Sequence, residues 1–221
     1  MKNKRWWVSV IKFEISVDDG CKLDNRIAKL CQKYDIPCTF YIPIDYITLA
    51  INKGYEPLPQ ASYRWLIDNF EIGSHGVTHR YLTQIPFAEA KDEIRASKQM
   101  LENLIGRPVT KFCYPRGYSN PDIKEEVRKA GYKYARSTTI GHIKEPTDPL
   151  FAETTVHIGC PVRPEYEGST WLKYAEDRLK ECRRINQDYI YHAWCHSWEI
   201  DKYNEWDNVR KFFKMIGKHN G

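Results

Sequence analysis

Ile15-Ser16-Val17-Asp18-Asp19-Gly20 governs how the rest of the chain is read, because an apolar strand stops there on two adjacent acids. Upstream, Trp6 to Val17 is dense in Val, Ile, Phe and Trp, the residues of a buried strand. Two neighbouring carboxylates at the end of such a strand repel each other and lose hydration, and a bound cation is the usual compensation. Gly20 then lets the backbone turn sharply. Taken alone, the dipeptide reads first as a turn cap before a helix.

A second stretch changes that reading. In Gly73-Ser74-His75-Gly76-Val77-Thr78-His79, the apolar segment Phe70 to Gly73 delivers two histidines with three residues between them. This spacing lets both imidazoles reach one ion, from a helical turn or from a tight loop. One acid with two histidines makes a three-ligand site that leaves a position for water or substrate. The second acid of the pair is then free for proton transfer.

The remaining chain alternates strand-like and helix-like segments. Helical spacing joins Leu23, Ile27, Leu30 and Cys31, and it ends before Ile36-Pro37. Cys38 to Pro43 reads as a strand, followed by a short helix and the proline-rich loop around Tyr55-Glu56-Pro57-Leu58-Pro59. Tyr63, Leu66, Ile67 and Phe70 mark a helix feeding the strand Glu71 to Gly73. Pro86 opens a long helix with the apolar stripe Phe87, Ala90, Ile94, Leu101, Leu104 and Ile105, closed by Gly106 and Pro108. Strand Val109 to Tyr114, helix Pro121 to Ala130, strand Tyr132 to Arg136, strand Glu153 to Ile158, helix Trp171 to Ile185, strand Tyr189 to Trp198 and a closing helix with Trp206, Val209, Phe212, Phe213 and Ile216 complete the chain. About seven such units with no linker or repeat predict one α/β domain over residues 1–221. They form a parallel barrel smaller than the eight-stranded kind, with polar clusters at the C-terminal strand ends. An open doubly wound sheet is the alternative, and no Gly-rich phosphate loop supports it.

Bulk composition narrows the partners. The 221 residues are 42% hydrophobic and 29% charged, ordinary for a globular protein, and the net charge of +5 is spread without a basic block. Nucleic acid is therefore not expected. Seven cysteines at 21, 31, 38, 113, 160, 182 and 195 contain no C-x-x-C pair and read as reduced thiols. Lys2, Lys4 and Arg5 precede an apolar run broken by Lys12 and Glu14, with no small-residue cleavage site. No stretch has the length of a membrane span. The expected location is the cytoplasm.

The two motifs, in this order, resemble the polysaccharide deacetylase family, also known as the NodB-homology or carbohydrate esterase family 4 group. Its first motif, T-F-D-D-G-like, matches Ser16-Val17-Asp18-Asp19-Gly20, and its second, H-[ST]-x-x-H-like, matches His75-Gly76-Val77-Thr78-His79 with Gly76 in place of Ser or Thr. The likeness continues through Phe112-Cys113-Tyr114-Pro115-Arg116-Gly117, Tyr134-Ala135-Arg136-Ser137-Thr138 and His192-Ala193-Trp194-Cys195-His196-Ser197-Trp198-Glu199. It implies a distorted (β/α)7 barrel of the TIM-barrel-like kind and a metal-dependent hydrolase that removes N-acetyl groups from an amino sugar.

On that resemblance, Asp19, His75 and His79 hold a divalent ion and Asp18 is the base; a donor set of nitrogen and carboxylate favours zinc. The family's last motif supplies a histidine as general acid. Strand alternation places Ile190, His192, Trp194, His196 and Trp198 on one face, and His196, furthest along, is the expected acid. His192, one layer deeper, reads as structural. Glu199 either orients His196 or is an exposed glutamate. Two motifs depart from the family. Cys113 sits where an arginine usually orients the catalytic acid, leaving Arg136 and Arg116 as candidates for that charge. The Arg116 N–H falls where the family donates to the oxyanion. The usual Asp-x-x-Asp-Trp is missing near Ala135-Arg136-Ser137, with Asp148 and His157 as candidates to contribute or, more simply, a surface acid and a packed histidine. The expected substrate is a carbohydrate: a polysaccharide or an intracellular precursor of lipopolysaccharide, capsule or another surface glycan. The competing readings are an amidohydrolase of the same fold acting on a small non-sugar C–N bond and a catalytically silent carbohydrate-binding relative.

Overall fold

The structure is a computed structural model that describes residues 11–184 and 189–218; residues 6–10 of the expected first strand and Ile185 of an expected helix lie outside them. Among the described residues there are seven strands: β1 (Ile11–Asp18), β2 (Cys38–Ile42), β3 (Glu71–Ser74), β4 (Lys111–Cys113), β5 (Tyr134–Arg136), β6 (Val156–His157) and β7 (Tyr189–Cys195). They form one parallel sheet in the order β5-β4-β3-β2-β1-β7-β6. The helices are α1 (Asp24–Tyr34), α2 (Tyr46–Lys53), α3 (Gln60–Asn69), α4 (Phe87–Ile105), α5 (Pro121–Lys129), α6 (Trp171–Arg184), α7 (Ser197–Lys202) and α8 (Trp206–Gly217).

One segment draws the two sheet edges together. Ala135 N–H donates to Pro149 O and Ser137 N–H to Ala152 O, which ties the segment's start to β5. A few residues on, Thr155 N–H donates to His192 O and β6 pairs with β7. The result is the distorted (β/α)7 barrel, and the open doubly wound alternative is set aside.

Alternation along β1 explains what fills it. Phe13, Ile15 and Val17 face outward into the helix layer, where Phe13 meets Tyr191 and Tyr191 meets Phe212 of α8. Glu14, Ser16 and Asp18 face inward, meeting Lys111, His192 and Arg136 from three other strands. The barrel interior is thus a polar column inside an apolar sleeve. Because every strand runs the same way, Asp18-Asp19, His75, Cys113, Arg136 and His196 all emerge at one mouth.

The last strand is shorter than alternation suggested. It ends at Cys195, His196 is the residue before α7, and Trp198 belongs to that helix. Glu199 lies in the helix's first turn, where a carboxylate is favourable, and this local preference overrides the period-two pattern.

Candidate active site

Asp19 leaves β1 with a φ of 80°, a left-handed conformation that costs about 1–3 kcal/mol in a non-glycine residue. Its carboxylate is fully buried, and its two oxygens face different partners. Oδ2 accepts from Lys53 Nζ at 2.6 Å and from Trp198 Nε1 at 3.1 Å. Oδ1 has no hydrogen-bond partner. It lies 3.3 Å from His79 Nε2 and 3.7 Å from His75 Nε2, without hydrogen-bond alignment. Bonds of ~2.0–2.2 Å to a tetrahedral ion place donors about 3.4 Å apart, so these three atoms have the spacing of a ligand set.

The protonation states agree with that use. Burial drives His79 down to about 2 and lowers His75 as well, so both imidazoles are neutral donors. Burial alone would raise Asp19, but His196, Lys53, His79 and His75 outweigh it and hold the carboxylate ionised, well below the usual range. His75 Nδ1 donates to Cys113 O at 2.8 Å, which turns its Nε2 lone pair toward Asp19. A divalent ion therefore fits Asp19, His75 and His79.

The loop carrying the histidines is fixed from below. Glu93 of α4 accepts from Val77 N–H at 2.7 Å, Thr78 N–H at 2.9 Å and the Thr78 hydroxyl. Gly76 has a φ of 79°, and a Cβ there would sit 3.0 Å from the Glu93 carboxylate, so a side chain at this position would strain the backbone and crowd Glu93. Glu93 escaped the sequence reading, although a signal was present: it shares the α4 face with buried Ala90, Ile94, Ser97 and Leu101. Lys53, in the last turn of α2, and Tyr55, whose hydroxyl donates to Asp19 O at 3.3 Å, carried no local signal.

Asp18 points beside this triad and forms a fully buried ion pair with Arg136. Burial works against the guanidinium's charge, yet Asp18 raises its pKa overall. The Arg136 plane also lies 4.9 Å from the Tyr41 ring and 5.2 Å from Trp194. Of the two arginines that could supply the charge missing at Cys113, the structure brings Arg136 to Asp18. The Arg116 guanidinium stacks on Tyr81 at 5.2 Å. Its backbone, with a φ of 63°, is a third left-handed non-glycine at the mouth, after Asp19 and His79. Cys113 Sγ lies 3.7 Å from Asp18 Oδ2, and burial pushes its thiol well up, which removes it as a nucleophile.

His196 faces Asp19 Oδ2 through Nε2 at 3.6 Å and Glu199 through Nδ1 at 2.6 Å. Glu199 is not an exposed glutamate: its side chain is 16% exposed, and the same oxygen lies 3.0 Å from His157 Nε2. Burial would raise Glu199, but the two histidines hold it well below its usual range. His196 is shifted upward: burial opposes the shift, and Asp19 and Glu199 override it. His157 is buried, stacked on Trp194 at 3.7 Å and lowered to about 4 by burial. It joins the site, whereas Asp148 is a surface partner of Lys124. His192 sits one layer down, between Ser16 Oγ at 2.8 Å and Tyr134 OH at 3.3 Å.

The family model for polysaccharide deacetylase matches residues 11–135. Among curated proteins, the peptidoglycan-N-acetylmuramic acid deacetylase PdaC of Bacillus subtilis is 23% identical over 116 residues, 52% of this chain and 23% of that protein. The peptidoglycan deacetylase of Helicobacter pylori is 24% identical over 112 residues, 51% of this chain and 36% of that protein. The chain thus matches only about a quarter to a third of these relatives' length. Among solved structures, PuuE allantoinase superposes with a TM-score of 0.67 over 95% of this chain and 84% of that one, at 14% identity, a likeness of fold. With the match spanning both the Asp18-Asp19 and His75–His79 motifs, the chain belongs to the polysaccharide deacetylase family.

Proposed function

We propose that the protein is a metal-dependent N-deacetylase acting on an acetylated amino sugar in a polysaccharide or its intracellular precursor. The carrying observation is Asp19 Oδ1, a buried anionic oxygen without a hydrogen-bond partner, set between two neutral imidazoles. When bound, a divalent ion, zinc by its donor set, supplies Lewis-acid polarisation of the acetyl carbonyl and acidifies water. The protein's own groups do the rest. Asp18 accepts the proton of the attacking water, oriented by Arg136. The Arg116 N–H donates to the oxyanion. His196, steadied by Glu199, protonates the departing amine, so that the C–N bond breaks to give acetate and a free amino sugar. The buried, unpaired thiols support a reducing compartment such as the cytoplasm.

Acetate release from N-acetylhexosamine oligomers by the zinc-loaded protein, set against ammonia or carboxylate from cyclic amides, tests the substrate class. In Asp18→Asn, acetate release should fall by about 10³-fold or more with zinc content unchanged. His75→Ala should lose the zinc first. Full activity in Asp18→Asn, or zinc retained without His75, would contradict these roles.

A further inference from the structure

Asp19 is held from more directions than a metal ligand alone requires. Its N–H donates to Tyr41 O at 3.1 Å, and its carbonyl accepts from the Tyr55 hydroxyl at 3.3 Å. Its outer oxygen Oδ2 accepts from Lys53 at 2.6 Å and Trp198 at 3.1 Å. The holding groups also brace one another. Tyr55 and Trp198 stack in parallel at 5.6 Å, and the Lys53 ammonium lies 5.0 Å from the Trp198 ring. Backbone bonds from Lys22 N–H to Glu56 O and from Leu58 N–H to Gly20 O fasten the 53–58 segment to the turn after Asp19. Lys53 ends α2 and Tyr55 follows it, so both lie outside the strands that build the barrel.

We propose that Lys53, with Trp198, is a positioning residue that occupies Asp19 Oδ2, so that the carboxylate offers a single oxygen to the ion. The inference rests on the metal-site reading above. A carboxylate with both oxygens available can grip a divalent ion in two-point fashion and use up the position that water or substrate needs. Two donors on one oxygen forbid that mode while the other oxygen stays directed at His75 and His79. The left-handed backbone at Asp19 supplies the direction of the side chain, and the Tyr55 hydroxyl keeps it there.

Cobalt(II) replaces zinc as the probe, because its visible absorption weakens as coordination number rises. Wild-type protein, Lys53→Met, Lys53→Arg and Trp198→Phe are loaded with cobalt, and acetate release is followed on N-acetylhexosamine oligomers. In Lys53→Met, the absorption should weaken and kcat should fall by about 10–100-fold, with KM within about twofold. Lys53→Arg, which keeps a donor on Oδ2, should restore much of both, and Trp198→Phe should shift both in the Lys53→Met direction by less. A Lys53→Met protein with the wild-type spectrum and kcat overturns the positioning role while leaving the metal site standing. A wild-type protein that takes up neither cobalt nor zinc overturns the metal site and this inference together. If Lys53→Met fails to fold, Trp198→Phe, which removes the indole N–H and keeps an aromatic ring beside Tyr55, decides instead: an unchanged spectrum there overturns the proposal.

Discussion

The mouth and the base of the barrel are both lined with charge, yet they treat it in opposite ways. At the base, Lys111 Nζ reaches Glu14 at 2.9 Å, Glu71 at 2.8 Å and Thr39 at 3.1 Å, and His192 uses both ring nitrogens. At the mouth, Asp19 Oδ1, His79 Nδ1 and Arg136 Nε are buried without hydrogen-bond partners. Among the described residues, three of the six non-glycine residues with positive φ, Asp19, His79 and Arg116, gather there too, whereas one, Asp35, lies at the base. The base nonetheless holds the larger cavity, about 750 Å³ lined by Glu14, Thr39, Arg107 and Lys111, against 520 Å³ beside Lys53, Tyr55 and Trp198. Cavity size therefore misplaces the chemistry. Unmet polar valence and backbone strain place it, because both are costly and persist only where the surroundings enforce them.

The Asp18–Arg136 pair gives the largest expected effect. Neither partner reaches solvent, so Arg136→Met leaves a buried carboxylate with no counter-charge, a loss of about 3–5 kcal/mol. Urea titration checks this. Adding Asp18→Asn should recover part of the loss, because the stranded charge is then gone. A cost below about 1 kcal/mol for Arg136→Met would show that the mouth tolerates unpaired charge and would erase its contrast with the base.

That pair also marks how far the sequence could be read. Asp18, Asp19, His75 and His79 were legible because each lies in a short motif, and their chemistry requires those residue types at that spacing. The strand-and-helix alternation was legible for the same local reason. Arg136 was visible only as one of two candidates, since 118 residues separate it from Asp18 and only the barrel's closure decides against Arg116. Lys53 was not legible at all: a lysine in the last turn of a helix is an ordinary dipole partner, and nothing nearby announces Asp19. Trp198 was assigned to the wrong element. The alternation of His192, Trp194, His196 and Trp198 runs on by chance past Cys195, where α7 begins.

A pH titration probes the polar column between the two regions. His192 is buried and lowered to about 4 by that burial, with Glu14 raising it and Arg136 and Lys111 lowering it further. An unfolded imidazole takes its proton near 6.5, so the unfolded chain binds more protons between those values. Stability is then complete above about pH 6.5 and declines as pH falls toward 4, by about 3 kcal/mol from this group. Urea midpoints of zinc-loaded protein from pH 7 to 4 should show the decline, and His192→Asn should flatten its slope. An unchanged slope would mean that His192 is protonated in the folded state and that the column is wetter than its burial implies.

The smallest expected effect belongs to the base itself. The Lys111 and Glu14 side chains are 22% and 21% exposed, so water screens both and takes over part of the pairing when one is removed. Lys111→Met should cost about 1 kcal/mol in urea titration, between the ranges for surface and buried pairs. Cobalt absorption and kcat should stay at wild-type values, because Lys111 touches only base residues. The comparison with Arg136→Met is informative because the two variants make the same chemical change, a cation to a thioether, at opposite ends of one column. If Lys111→Met lowered kcat or altered the cobalt spectrum, charge at the base would be felt at the mouth through Glu14 and Arg136. The polar column would then act as one electrostatic unit rather than as a satisfied floor beneath a strained site.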